Sequence, residues 1–125
     1  MNKNFFSIII CCFNSEKYIA KTLDSLLNQT YKNFEVVIID DGSKDNTNKI
    51  ILQYKEKFRS LIYHYHDNRG FVYSRNVGIK KANYEWIAIL DHDDIAADHR
   101  FEIHNEQINS NNESKLFFGN CEHFC

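Results

Sequence analysis

The sequence has little net charge and no long hydrophobic run, and each absence argues against a class of protein. Its 125 residues contain 15 Lys and Arg against 17 Asp and Glu, which gives a formal net charge of -2 with histidine neutral. Proteins that bind nucleic acid or anionic lipid usually present a cluster of basic residues, so we expect neither partner. The apolar run 5–13 is far shorter than the roughly 20 residues that cross a bilayer, so we expect no transmembrane segment.

The few cysteines do not follow a disulfide or metal-binding pattern. They form an adjacent pair, Cys11 and Cys12, and a pair at the end, Cys121 and Cys125. This fits neither a dense disulfide framework nor a paired C-x-x-C zinc site. Cys121, His123 and Cys125 alternate and would share one side of a strand, but structural zinc sites normally take four ligands with wider spacing. We therefore predict no zinc here and a cytoplasmic protein, with peripheral attachment to the inner face of the membrane left open.

Hydrophobic periodicity predicts strands and helices in alternation. The predicted strands are 7–12, 35–40, 61–66 and 85–90. The predicted helices are 15–28, a second helix that is capped by Ser43 or Asp45 and ends at about 58, 71–82 and 98–109. Alternation at this spacing favours βαβ units, and therefore an α/β fold with a mostly parallel sheet flanked by helices. The length suits one domain, 1–125, but is short for an α/β enzyme with its own acceptor site, so we expect a truncated domain.

Two of the predicted strands run directly into acidic residues. These are Asp40 and Asp41 after the run 34–39, and Asp91, Asp93 and Asp94 after the run 86–90. Ligands of open parallel sheets bind at the carboxyl ends of strands, where residues distant in sequence meet in one cleft. In an extended backbone Asp91 and Asp93 project to the same side, and carboxylates suit Mg²⁺ or Mn²⁺ that also binds phosphate oxygens. The pattern favours a site for a metal-bound phosphate compound, although an isolated D-x-D is more often a solvated turn or a helix N-cap.

Four segments, taken together, resemble the successive motifs of family 2 glycosyltransferases. They are SIIICCFNSEKYI at 7–19, VIIDDGSKDNT at 37–47, NRG at 68–70 with SRNVGI at 74–79, and LDHDD at 90–94. The resemblance implies a Rossmann-like GT-A fold that binds a nucleotide-sugar and a metal, and inverting transfer of the sugar to an acceptor hydroxyl. It does not indicate which sugar is transferred.

The resemblance also implies nucleotide-sugar-binding roles for individual residues. The positions that match are Cys11, Phe13, Asn14, Asp41, Asn68, Arg75, Asp91, His92 and Asp93. Phe13 matches the aromatic residue that stacks on the base, and Asp41 the acid that accepts a hydrogen bond from the uracil imide. Asn68 and Arg75 match polar positions near the nucleotide and its diphosphate.

The D-x-D motif carries the implied metal site. Asp91 corresponds to its first acid, near ribose and sugar, and Asp93 to the acid that ligates Mn²⁺ or Mg²⁺, which would stabilise charge on the leaving diphosphate. His92 fills a variable position, where we favour a solvent-facing spacer over a ligand contact. The general base that deprotonates the acceptor hydroxyl lies beyond this motif in the family, so we expect it outside this chain.

The chain departs from the family pattern in having no proline. Cys11 and Cys12 occupy the loop after the first strand, where the family usually has one, and Ala97 precedes Asp98 after the D-x-D motif. Both loops should be less fixed as a result, because proline restricts the backbone. The stacking position, Phe13, is retained.

Two other readings of the 91–94 motif are weaker. A phosphotransferase with Asp91 as covalent nucleophile needs later residues for phosphate and metal, and few residues follow. A calcium loop of the EF-hand type would place Asp91, Asp93 and Glu102 correctly, but Ala96 stands where that loop requires glycine.

We therefore expect the donor-binding half of a metal-dependent glycosyltransferase. The donor is expected to be a UDP-sugar and the acceptor a glycan or lipid-linked molecule in cell-surface polysaccharide or lipopolysaccharide synthesis. The alternative is a nucleotide-binding or interaction module without catalysis. Apolar surface left exposed where a second half would pack predicts a homodimer or poor solubility.

Overall fold

The computed structural model describes residues 3–122, in which strands and helices alternate throughout. The elements are β1 (Phe6–Cys12), α1 (Ile19–Leu27), β2 (Phe34–Asp40), α2 (Thr47–Tyr54), β3 (Leu61–Tyr65), α3 (Phe71–Lys81), β4 (Trp86–Ile89) and α4 (Arg100–Ser110). This confirms the predicted α/β fold. His123 and Cys125, two of the three alternating residues at which we predicted no zinc site, lie outside the described residues. No helix within residues 3–122 is both long enough and apolar enough to cross a membrane.

The four strands form one parallel sheet in the order β3-β2-β1-β4. In the register, Cys12 pairs with Asp40 and Ile9 pairs with Ile89, so the carboxyl ends of β1, β2 and β4 meet at one edge. Continuous apolar runs form these strands because parallel sheets are covered on both faces. The predicted acids therefore leave the sheet at the same edge.

Helices cover the two faces of the sheet unequally. Along β1, Ile8 and Ile10 belong to the larger core, which includes residues of α1, α2 and α4, whereas Ile9 and Cys11 face α3. Strand β4 lies at an edge, and Ile87 on it is exposed. Dimerisation through apolar surface of this kind stays a prediction.

The first two helices begin later than predicted. Residues 15–18 and 43–46 form turns rather than first helical turns. The two turns hydrogen-bond to each other: Thr47 Oγ1 accepts from the Ser15 N–H at 2.8 Å, and Glu16 Oε2 accepts from the Asn46 N–H at 3.1 Å. The bond from Asn46, the residue before α2, satisfies an N–H group that a helix start would otherwise leave free. Both hydrogen bonds tie the loops after β1 and β2 together.

Gly78 allows α3 to lie close against the sheet. A Cβ at this position would be 2.6 Å from Cγ2 of Ile9 and 3.3 Å from Cγ1 of Ile39. We expect Gly78→Ala to lower the free energy of unfolding by about 1–2 kcal/mol, because overpacking exceeds the gain in helix propensity. Chemical denaturation measures the change. Asn76→Ala, at an exposed position of the same helix, is the control and should not destabilise the protein; equal stability of the Gly78→Ala variant would contradict the predicted clash.

Candidate functional site

The loop after β1 presents one aromatic side chain and fixes one amide. Phe13 is 37% exposed. Asn14 adopts a left-handed backbone with φ 49°, and its Oδ1 accepts a hydrogen bond from the Lys44 N–H at 2.8 Å. The Asn14 N–H donates to Ser43 Oγ at 2.9 Å. Asn14 thus joins the loops after β1 and β2, while the ring of Phe13 is accessible for stacking.

The adjacent acids at the end of β2, Asp40 and Asp41, have different surroundings. Asp40 is fully buried, and its carboxylate accepts hydrogen bonds from the Ser43 N–H at 2.9 Å and from the Tyr63 hydroxyl at 2.7 Å. Burial, together with the bond to Asp40, raises the pKa of Tyr63. Asp40 therefore shapes the turn after β2, which leaves Asp41 as the candidate for ligand binding.

Asp41 holds the loop that follows β3. Its Oδ1 accepts from the Arg69 N–H at 2.7 Å, and its Oδ2 accepts from the Gly70 N–H at 3.0 Å and from the Asn68 amide at 3.2 Å. The residue is only 2% exposed. A carboxylate offers about four acceptor sites, so three of them are occupied. The structure brings the buried Asp41 together with Asn68, which belongs to the exposed loop 67–70.

A cleft of about 230 Å³ opens beside β1 and β4. It is lined by Cys11, Phe71, Arg75, Asp91, His92 and Asp93. Arg75 Nη2 lies 3.7 Å from Asp91 Oδ1, and both side chains are substantially exposed. An exposed ion pair of this length is weak, so the guanidinium can turn to a phosphate that enters the cleft.

The thiol of Cys11 forms part of the wall of this cleft. Burial raises its pKa, while the neighbouring Arg75 acts in the opposite direction. Because the thiolate is the nucleophilic form, a raised pKa keeps the group unreactive. Cys11 is therefore a lining residue of the cleft.

His92 is fixed against α1. Its Nδ1 lies 2.6 Å from Oγ of the buried Ser15, and its carbonyl accepts from the Thr22 hydroxyl at 3.0 Å. Its ring centroid is 6.0 Å from that of Phe71. The expectation of a solvent-facing spacer is corrected, because these contacts hold the imidazole in the wall of the cleft.

Three carboxylates gather where β4 ends. One oxygen each of Asp91, Asp93 and Asp94 lies within 4.8 Å of the others, and all three residues are exposed. Partial desolvation and the charges of Asp91 and Asp93 raise the pKa of Asp94. The donor set consists of oxygen atoms alone, which suits a hard divalent cation better than zinc. A cation here would relieve the repulsion among the three acids.

The structure separates the predicted site residues into three groups. Five of them line the cleft, Asn68 in the exposed loop 67–70 donates a hydrogen bond to the buried Asp41, and Phe13 and Asn14 belong to the loop after β1. Sequence reasoning missed Phe71 in the cleft, and it did not assign Asp94 to the metal site. The consecutive acids at 93–94 were a signal for Asp94, whereas no local pattern marked Phe71.

Comparison with known families and proteins gives consistent results. The family model described as glycosyl transferase family 2 matches residues 7–118. An uncharacterized glycosyltransferase of Rickettsia conorii is 37% identical over 119 residues, which are 93% of this chain and 19% of that protein. Glycosyltransferase GlyG of Streptococcus pneumoniae is 32% identical over 103 residues, 82% of this chain and 34% of that protein. The chain thus spans a fifth to a third of the length of these two relatives.

Solved structures agree with the sequence relatives. S. aureus TarS 1–349 in complex with UDP-GlcNAc superposes with a TM-score of 0.82 at 33% identity, over 86% of this chain and 32% of that one. A complex of the same protein with UDP gives a TM-score of 0.82 at 34% identity. The mannosyltransferase PcManGT of Pyrobaculum calidifontis, solved with GDP-Man and Mn²⁺, has a TM-score of 0.74 at 24% identity, over 83% of this chain and 31% of that one. At that identity the likeness concerns the fold alone.

Proposed function

Because this chain belongs to glycosyl transferase family 2, we propose that it forms the donor-binding half of an inverting glycosyltransferase that uses a UDP-sugar and a divalent metal. The observation that carries the proposal is the cleft in which Arg75 lies opposite the acids after β4. A positive group and a cluster of carboxylates are the two elements needed to hold a diphosphate through a metal.

Each side chain has a distinct role in this proposal. Asp93, with Asp91 and Asp94, would hold Mn²⁺ or Mg²⁺, and such a cation supplies Lewis-acid stabilisation of the charge on the leaving diphosphate. Arg75 donates charge-assisted hydrogen bonds to the same phosphates. His92, held by Ser15, and Cys11 shape the wall against which the donor lies.

The base is proposed to lie between Phe13 and the loop 67–70. The exposed ring of Phe13 stacks on the uracil, and Asp41 accepts the imide N–H. Because three acceptor sites of Asp41 are in use, the imide takes the fourth or replaces the Asn68 amide, which makes the longest of the three bonds. The choice of uracil is supported by the likeness to a protein solved with UDP and UDP-GlcNAc.

The remaining parts of the reaction are proposed from the family resemblance. The acceptor is a glycan or lipid-linked hydroxyl in cell-surface glycan synthesis at the cytoplasmic side of the membrane. The base that deprotonates it is not assigned to a residue of this chain.

Calorimetric titration of UDP tests the proposed donor site. We expect binding with Mn²⁺ that is lost in EDTA. Phe13→Ala should weaken that binding by about 5- to 150-fold, since stacking of a base on an aromatic ring contributes about 1–3 kcal/mol. Phe118→Ala, which removes an exposed ring outside the cleft, is the matched control. Equal affinity of the Phe13→Ala variant, or no UDP binding by the wild type, would contradict the assignment.

A nucleotide-binding module without catalysis is the second candidate, because the described residues supply the proposed donor site while the base that deprotonates the acceptor is assigned to none of them. Both candidates bind UDP, so a different measurement separates them. A transferase should release UDP from a UDP-sugar, by transfer to an acceptor or by slow hydrolysis, whereas a module that only binds should not. Variants of Asp93 should lose this release.

A further inference from the structure

His66 connects the two ends of the proposed donor site. We infer that it is a positioning residue for recognition of the base: its ring holds the loop that orients Asp41 and joins that loop to the helix that carries Arg75. The inference rests on the proposed function, since it concerns how the donor base is recognised. The side chain of His66 is 13% exposed, directly after β3.

One nitrogen of the ring faces the loop. His66 Nδ1 lies 2.7 Å from the carbonyl oxygen of Asp67 and 3.5 Å from Oδ1 of Asp41. A carbonyl oxygen only accepts, so Nδ1 carries a proton and donates to Asp67. The loop 67–70 begins at this anchored peptide, and its next N–H groups, those of Arg69 and Gly70, donate to Asp41.

The other nitrogen faces α3. His66 Nε2 lies 3.1 Å from Oγ of Ser74, which is fully buried in the first turns of the helix. In the neutral ring, with the proton on Nδ1, Nε2 accepts from the Ser74 hydroxyl. The ring of Tyr73 packs edge-on against the imidazole at 5.1 Å. Arg75 follows Ser74 directly, so the imidazole fixes the start of the helix that presents the guanidinium.

The order Asp41, His66, Ser74 has the composition of a hydrolytic triad, but the geometry excludes that role. The Ser74 hydroxyl is inaccessible, so it cannot attack a substrate. The Nδ1 proton is directed to a main-chain carbonyl at 2.7 Å, and the Asp41 carboxylate is farther away at 3.5 Å. Through these contacts His66 instead connects the loop 67–70 to α3.

Three substitutions separate the contact made by Nδ1 from the contact made by Nε2. His66→Ala removes both, His66→Asn retains a donor near the position of Nδ1, and His66→Gln reaches the position of Nε2. We expect His66→Ala to weaken Mn²⁺-dependent UDP binding about 10-fold, as follows from losing about one well-placed hydrogen bond. His66→Asn should bind within about threefold of the wild type, while His66→Gln should resemble His66→Ala.

Base selectivity distinguishes positioning from a general structural role. UDP and GDP share the diphosphate and differ in the base. The ratio of the UDP affinity to the GDP affinity should therefore fall in His66→Ala, while the affinity for Mn²⁺ stays constant. His64→Ala, which removes the imidazole two residues before His66, within β3, is the control and should keep the wild-type ratio.

The outcomes separate this inference from the proposed function. Failure of the wild type to bind UDP would overturn both. If the wild type binds UDP, unchanged affinity in His66→Ala, or an equal loss of UDP and GDP, would overturn the inference alone. If His66→Ala does not fold, the comparison of His66→Asn with His66→Gln decides, and equal UDP affinities of these two variants would reject the role of Nδ1.

Discussion

Asp93→Asn is expected to abolish the metal-dependent part of UDP binding. The substitution keeps the shape of the side chain but replaces one of three clustered carboxylates by a neutral amide, and hard divalent cations prefer charged oxygen ligands. We expect the increase in UDP affinity produced by Mn²⁺ to fall about 100-fold, which corresponds to about 2.7 kcal/mol. Calorimetric titration with Mn²⁺ and with EDTA measures this increase directly.

Two further variants show whether the effect belongs to the cluster. Asp94→Asn should reduce the Mn²⁺-dependent increase in UDP affinity less than Asp93→Asn does, because Asp94 adds charge to the site without belonging to the D-x-D pattern. Asp98→Asn removes an exposed acid outside the cluster and should leave UDP binding unchanged. Full retention of the Mn²⁺ effect in Asp93→Asn would refute the proposed metal site even if UDP still binds.

Strands β1 and β2 were predictable from the sequence because every residue in them is buried. All seven residues of β2 are buried, and a parallel strand covered on both faces must read as an almost continuous apolar run. The start of α1 was predicted four residues too early, at residue 15 instead of Ile19, and α2 begins at Thr47, after both of its predicted caps, Ser43 and Asp45. Glu16 and Asn46 look like residues of a first helical turn in a local window, but their hydrogen bond connects two loops that are distant in sequence.

The site was predictable to the extent that it lies at strand ends. Topology alone brings the acids after β2 and β4 to one edge of the sheet. The partners of Asp41 were not predictable in this way, because the N–H groups that bind it come from Arg69 and Gly70, after another strand and helix. The contact between His66 and Ser74 likewise depends on how α3 packs against the end of β3.

Glu35→Ala is expected to cause the largest loss of stability. Glu35 is an acid in the middle of an apolar run and is only 2% exposed. Its carboxylate accepts from the Ser7 hydroxyl at 2.6 Å, from the Asn83 N–H at 2.7 Å and from the Asn83 amide at 2.9 Å. Removal of the acceptor leaves these donors unsatisfied, at a cost of about 3 kcal/mol or more. That is a large part of the 5–15 kcal/mol by which a domain is typically stable.

Chemical denaturation of a small set of variants tests whether this buried network accounts for the loss. Glu85→Ala removes an exposed glutamate next to residues 83–84 and should change the free energy of unfolding by less than about 0.5 kcal/mol. Ser7→Ala should lower the free energy of unfolding less in the Glu35→Ala background than in the wild type, because the Ser7 hydroxyl has already lost its acceptor there. If the effects of the two substitutions simply add, Ser7 and Glu35 are not coupled.

The position of the network connects stability to the site. Ser7 Oγ also accepts from the Tyr84 N–H at 3.1 Å, so the network holds residues 83–84, which lead into β4. Since β4 leads to Asp91, Glu35→Ala should increase amide hydrogen exchange in β4 more than in β3, the other edge strand. Equal increases in both strands would mean that Glu35 stabilises the sheet as a whole and has no particular part in holding the strand that leads to the acids.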